Sequence, residues 1–90
     1  MRTIWKFPLK ITDSQEVRIP KGARIICAQT QDDTPCLWAE VDSSVSLELR
    51  RILIFGTGNP IQDDSPRNYI GTCQTMGGRL VWHVYESLNS

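Results

Sequence analysis

The chain lacks a long apolar run, a second histidine, paired cysteines and any excess of charge of one sign, and each absence removes a class of function. Without about 20 consecutive apolar residues, no segment reads as a membrane-spanning helix. Ten basic side chains balance ten acidic ones, so no net field draws the whole molecule onto a phosphate backbone or an anionic membrane. Any charged partner must be met by a local patch, and direct nucleic-acid binding is not expected. Cys27, Cys36 and Cys73 are odd in number and widely spaced, which suits neither a disulfide framework nor the Cys-x-x-Cys pairs of a zinc site. They read as reduced thiols serving as small core residues. The start, Met1-Arg2-Thr3-Ile4-Trp5-Lys6, enters patterned sequence directly, without the apolar segment of a secretory signal, so a cytoplasmic location is expected.

What is present reads as one folded domain over residues 1–90. The chain is 40% hydrophobic and 22% charged, with no repeat, linker or low-complexity stretch, the proportions of an ordinary globular domain. Trp5, Phe7, Leu9 and Ile11 alternate with Lys6, Pro8 and Lys10, the period-2 signature of a strand with one buried face. Pro8 cannot donate a ladder hydrogen bond, which places this strand at a sheet edge. Pro20-Lys21-Gly22 supplies a tight turn between strands at Glu16–Ile19 and Ala23–Thr30. The polar loop Gln31 to Pro35 then joins that strand to a partner in which Leu37, Ala39 and Val41 alternate with Cys36, Trp38, Glu40 and Asp42. Leu47 to Phe55 is read as a strand, with one short helical turn near 43–50 as the alternative, because an Ile- and Leu-rich run has no decisive period. Gly77-Gly78 marks a two-residue hairpin between strands Tyr69–Thr75 and Leu80–Tyr85, since both turn positions accept positive φ. Six or seven short antiparallel strands at this spacing predict an all-β fold, a small sandwich or barrel. Edge strands of such a fold need covering, and a homodimer formed through one of them is an economical solution.

The chemistry-bearing residues point away from catalysis. Cys73 and His83 could form a nucleophile–base pair across the last hairpin, but its register sets Cys73 opposite Trp82 and puts His83 on the other side of the sheet. His83 therefore reads as a hydrogen-bonded structural residue and no enzymatic activity is expected. Gly56-x-Gly58 lacks the third glycine and following helix of a dinucleotide loop, and reads as a sharp exit from a strand. Asp63-Asp64 lacks the alternating oxygens and distal Glu of a calcium loop, so no metal or cofactor is expected. Arg50-Arg51 with Trp5, Trp38 and Trp82 could serve as phosphate and stacking contacts, a reading the zero net charge opposes. Trp38 shares its face with Glu40 and Asp42, and an aromatic rimmed by charge is how an interface hot spot looks. The Gly56–Pro66 stretch is the longest irregular segment, where binding residues tend to sit.

Thr3-Ile4-Trp5-Lys6-Phe7-Pro8-Leu9, Pro35-Cys36-Leu37-Trp38-Ala39 with Val41-Asp42, Gly56-Thr57-Gly58-Asn59-Pro60-Ile61, Tyr69-Ile70-Gly71-Thr72 and Gly77-Gly78-Arg79-Leu80-Val81-Trp82-His83-Val84 resemble a family of small uncharacterised phage and prophage proteins. The resemblance spans nearly the whole chain, departs from the family pattern at Asn59 and Cys73, and supplies no residue with an assigned role. It implies a non-enzymatic accessory factor made inside an infected or lysogenic bacterium, a type that includes inhibitors of host immunity such as anti-CRISPR proteins. The function the resemblance implies is thus binding of a host or defence-system protein, an anti-CRISPR-like block of a Cas component. The candidate binding residues are Trp38, Glu40, Asp42, Asp32, Asp33, Gly58, Asn59, Asp63 and Asp64; gathered on one face, the acidic groups would suit a nucleic-acid channel. Two alternatives are an oligomeric sponge for a nucleotide signal, closing the Gly56–Asp64 loop over its ligand, and a minor structural protein of the virion.

Overall fold

Alternating apolar residues bounded by turn formers produce seven antiparallel strands and, among the described residues, no helix. The computed structural model describes residues 1–62 and 64–89. Strands β1 (Arg2–Pro8), β4 (Thr34–Asp42) and β3 (Arg24–Gln31) form one sheet in the order β1-β4-β3. Strands β2 (Ser14–Pro20), β5 (Leu47–Gly56), β7 (Leu80–Ser87) and β6 (Arg67–Thr75) form a second, in the order β2-β5-β7-β6. The facing sides share a core in which Leu37, Ala39 and Val41 of β4 oppose Ile52 and Ile54 of β5 and Val84 of β7, each at most 3% exposed. This is a small β-sandwich, as the strand spacing predicts.

β1 is an edge strand, as Pro8 requires. The strand is shorter than its alternation predicts: it ends at Pro8, with Phe7 half-buried and Trp5 37% exposed on its inward side, while Leu9 is buried beyond it and Ile11, in the following bend, is 47% exposed. Three turns differ from their sequence reading. Instead of a five-residue loop, β3 and β4 are joined by Asp32 and Asp33 alone, at φ of 51° and 61°; aspartate tolerates the left-handed region that such a two-residue hairpin demands. The last hairpin keeps the expected register, Cys73 opposite Trp82, but its turn takes in Met76 to Arg79 rather than the two glycines alone. Met76, Gly77 and Gly78 all have positive φ, and the Met76 amide donates to the Asp33 carboxylate at 2.7 Å, tying the two hairpin tips together. The helical turn near 43–50 does not form: β5 is strand from Leu47 onward, and the preceding turn is closed by Asp42, whose Oδ1 accepts from the Ser44 amide (3.0 Å) and hydroxyl (2.7 Å).

The two long sides of the sandwich differ. On one, β3 and β6 lie against each other, each with a bulge, between Ile25 and Cys27 and between Tyr69 and Gly71. A Cβ at Gly71 would stand 2.6 Å from the Ala28 carbonyl oxygen, so only glycine permits this approach. Thr30 Oγ1 donates to the Gln74 carbonyl at 2.7 Å across the same seam. On the other side, the outer edges of β1 and β2 have no strand beside them among the described residues.

Arg50, read as exposed from its Arg-Arg context, points inward on β5 and is 18% exposed. Its guanidinium grips Glu86 of β7 with two nitrogens, Nη2 to Oε1 at 2.9 Å, and Nη1 donates to the Ala23 carbonyl at 2.8 Å. Removing one member of this partly buried pair leaves the other charge without its charge-assisted hydrogen bonds, at a cost of about 2 kcal/mol. Arg50→Met is expected to lower the denaturation midpoint accordingly, and the double variant Arg50→Met/Glu86→Leu to recover most of the loss, as read by urea unfolding.

Candidate functional site

The order β5-β7-β6 places the last strand between two that precede it. β5 and β6 both run antiparallel to β7, so the chain must cross β7 between them. The inner face is filled by the opposite sheet, and the described residues of the connection, 57–62 and 64–66, lie on the outer side, where Asn59, Gln62 and Ser65 share a cleft with Leu53 and Phe55. The crossing opens with a tight turn in which the Asn59 amide donates to the Gly56 carbonyl at 3.0 Å. Gly58 sits at φ 87°, the positive φ that a type II turn requires at its third residue. The two glycines therefore act as a sharp strand exit.

Beside this turn runs a hydroxyl–imidazole chain. Thr57 Oγ1 lies 2.7 Å from His83 Nε2, Thr72 Oγ1 lies 3.3 Å from His83 Nδ1, and the Tyr69 hydroxyl bonds Thr72. Both ring nitrogens of His83 thus have partners, and the ring links the residue that follows β5 to the middle of β7 and of β6. Cys73 lies on the opposite face, 1% exposed. Desolvation pushes its thiol pKa up, while hydrogen bonding to Thr30 and to the Cys36 backbone pulls more weakly the other way, so thiolate is scarce where a nucleophile would need it.

Farther along the outer face, Phe55, Tyr85 and Tyr69 form a tier of edge-to-face rings with centroids 5.7 and 5.5 Å apart. The Arg67 guanidinium lies over Phe55 and Tyr85 at 5.5 and 5.2 Å, a cation–π arrangement that fixes the far end of the crossover. Tyr69 remains 59% exposed and Leu49 57%. Between crossover and sheet lies a half-open cleft of about 530 Å3, floored by Leu53 and Phe55, rimmed by Asn59 and Gln62 on one side and by Arg51, Asp13 and Ser14 on the other. None of Tyr69, Tyr85, Phe55 and Arg67 stood out in the sequence. The available signal was the every-second-residue row Leu49, Arg51, Leu53, Phe55, which marks a second apolar face on β5.

The structure distributes the acidic residues rather than gathering them. Asp32 and Asp33 form the β3–β4 turn, and Asp33 is engaged by Met76. Glu40 and Asp42 lie near the other end of β4, roughly 23 and 30 Å from Asp33 at about 3.3 Å per residue. Glu40 accepts from Arg2 at 2.9 Å, and Asp42 from Ser44 and the terminal ammonium. Trp38 shares their outward face but is half-buried. Asp64, Gly58 and Asn59 belong to the crossover on the other sheet, and Asp63 lies outside the described residues. The eight described residues thus fall in separate places, with their charge partly compensated. Among the described residues no group of three or more His, Cys, Asp or Glu could hold a metal, and no helix is long and apolar enough to cross a membrane.

Hydrogen bonds from Ser44, helped by the terminal ammonium, lower the Asp42 pKa from 3.8 to about 2. A depressed carboxylate stabilises the fold above its unfolded pKa and loses that contribution as pH falls through its folded one. The stability difference between the native chain and Asp42→Asn is therefore expected to be constant near neutrality and to shrink as pH falls from about 4 to about 2, a trend that urea midpoints at each pH would show.

Neither the curated proteins nor the solved structures contain a match to this chain. A family model described as a domain of unknown function, DUF7352, matches residues 1–90. The sandwich with its crossover and aromatic tier is thus a member's structure, and the chain belongs to the DUF7352 family.

Proposed function

We propose that this protein is a non-enzymatic binding factor of phage or prophage origin that acts in the cytoplasm of the infected bacterium by occupying a component of host defence, with a Cas protein the first candidate. The observation that carries the binding reading is the outer face of the four-stranded sheet. Tyrosine, phenylalanine and arginine at Tyr69, Tyr85, Phe55 and Arg67, with Tyr69 59% exposed, make up the composition of an interface centre rather than of an ordinary solvated surface. The phage and host-defence part of the reading rests on the sequence resemblance alone. The dispersal of the acidic groups moves the proposed contact away from an acidic DNA-like face and onto this aromatic one. Affinity capture from extracts of immune bacteria is expected to retain a Cas subunit. Tyr69→Ser is expected to weaken that capture at least about tenfold, while loss of its ring contact with Tyr85 and its bond to Thr72 lowers the melting temperature by only a few degrees and leaves the chain folded at the assay temperature. Failure to retain any Cas subunit, together with failure to rescue phage plating on immune hosts, would overturn the assignment.

The cleft under the crossover favours a second reading, capture of a small nucleotide signal. Its volume of about 530 Å3 falls within the range of small-molecule sites, and Arg51 at its rim makes no ion pair within 4.0 Å among the described residues. Cyclic nucleotides or ADP-ribose derivatives at a hundredfold excess over Kd are expected to add about 2.7 kcal/mol of apparent stability, and Arg51→Ala to abolish the shift. A thermal-shift screen with no responding compound would dismiss this reading while leaving the protein-binding one standing.

A further inference from the structure

The sandwich is sealed along one side and open along the other, and the open side contains an unusual edge. Among the described residues β1 has a strand neighbour only in β4. Its other edge presents unpaired backbone donors and acceptors over Arg2–Pro8, a template for another strand unless something blunts it. Charged side chains commonly do so, but here both are drawn back over their own sheet. Lys6 Nζ donates to Gln31 Oε1 at 2.6 Å, reaching across β4, and Arg2 donates to Glu40 at 2.9 Å. What remains at the edge is apolar: Ile4 is 57% exposed on the outer face and Trp5 37% on the inner. β2, the other open edge, carries Glu16 and Arg18 outward and has no large exposed apolar side chain of its own, so it gains little by being covered.

We propose that β1 pairs antiparallel with β1 of a second copy about a two-fold axis at Trp5, joining two three-stranded sheets into one of six. The sequence of the strand selects both the partner and the register. With the axis at Trp5, residues whose numbers sum to ten face each other: Ile4 meets Lys6 of the second copy, Thr3 meets Phe7, and Arg2 meets Pro8. No cations are opposed, and Pro8, which lacks a donor, falls at the end of the ladder where one is least needed. An axis at Ile4 would set Lys6 against Arg2 of the second copy, and an axis at Lys6 would oppose two lysines; like charges directly across a strand pair are unfavourable. At Trp5 the two indoles meet beside the open side of the core, where Phe7 already lies 6.4 Å from Trp5 between ring centroids. An isologous contact of this kind is self-limiting, because each copy has one β1.

Sedimentation of the intact chain from low to high micromolar concentration, repeated with three variants, tests the axis. The native chain is expected to dimerise. Ile4→Lys places two lysine pairs across the axis and is expected to weaken association at least about tenfold. Ile4→Glu places two attractive pairs there and is expected to dimerise as well as the native chain or better, with the advantage fading in salt. Ile4 is exposed, so the melting temperature of the dilute variants should stay close to native. A native chain that remains monomeric at high micromolar concentration would overturn the proposal. So would loss of the dimer in both Ile4 variants, which puts the axis elsewhere, or its survival in both. A dimer broken instead by Arg18→Glu would move the interface to β2 and refute it equally.

Discussion

The fold depends on a charge that its surroundings cannot leave unanswered. Arg50 extends from β5 toward the interior, where Glu86 of β7 meets it with both oxygens and the Ala23 carbonyl, at the entry to β3, takes a third hydrogen bond. One guanidinium thus fixes the spacing of two strands of one sheet and pins the start of a strand in the other. A planar fork of donors is suited to this because its geometry is set before it binds, so little freedom is lost for each bond made. Apolar side chains around it, Ile52 and Val84 among them, supply most of the driving force but accept many arrangements. The ion pair accepts one, and in so thin a sandwich that selectivity fixes which strands lie side by side.

The seam between β3 and β6 complements it. Gly71 lets two edges approach until one backbone lies on the other, and the bulges at Ile26 and Ile70 turn the neighbouring strand segments apart. An edge shielded in this way cannot recruit further strands. The contrast with the opposite side is chemical as well as geometric, since the closed seam is held by a small residue and a threonine hydroxyl, whereas the open side displays an isoleucine and a tryptophan.

Much of the architecture was legible in the sequence because period-2 patterning and turn formers are local signals. The all-β class, the edge position of β1, the pairing of β3 with β4 and the register of the final hairpin follow from them. Errors fell where local chemistry has two solutions. Asp32-Asp33 reads as part of a polar loop unless the tolerance of aspartate for positive φ is weighed against loop length. Arg50 looks like a surface residue beside Arg51 because its partner lies 36 positions away. The acidic residues stand near one another along the chain, yet the extended β4 carries Glu40 and Asp42 far from the turn at Asp33. The aromatic tier was invisible for the same reason: Phe55, Tyr69 and Tyr85 become neighbours only once β7 lies between β5 and β6.

That interposition of β7 has a temporal consequence. A chain emerging from the ribosome exposes β6 before the strand that will separate it from β5 has been made. Until residues 80–87 are free, β2 and β5 can pair but β6 cannot join their sheet, and Arg50 has no Glu86. Folding must therefore wait for nearly the whole chain and then proceed by distant pairings, which are slow to form. During that interval the apolar residues of β5 stand uncovered, and the exposed half-formed sheet is the state in which this small protein is most open to chaperones, to proteolysis and to aggregation.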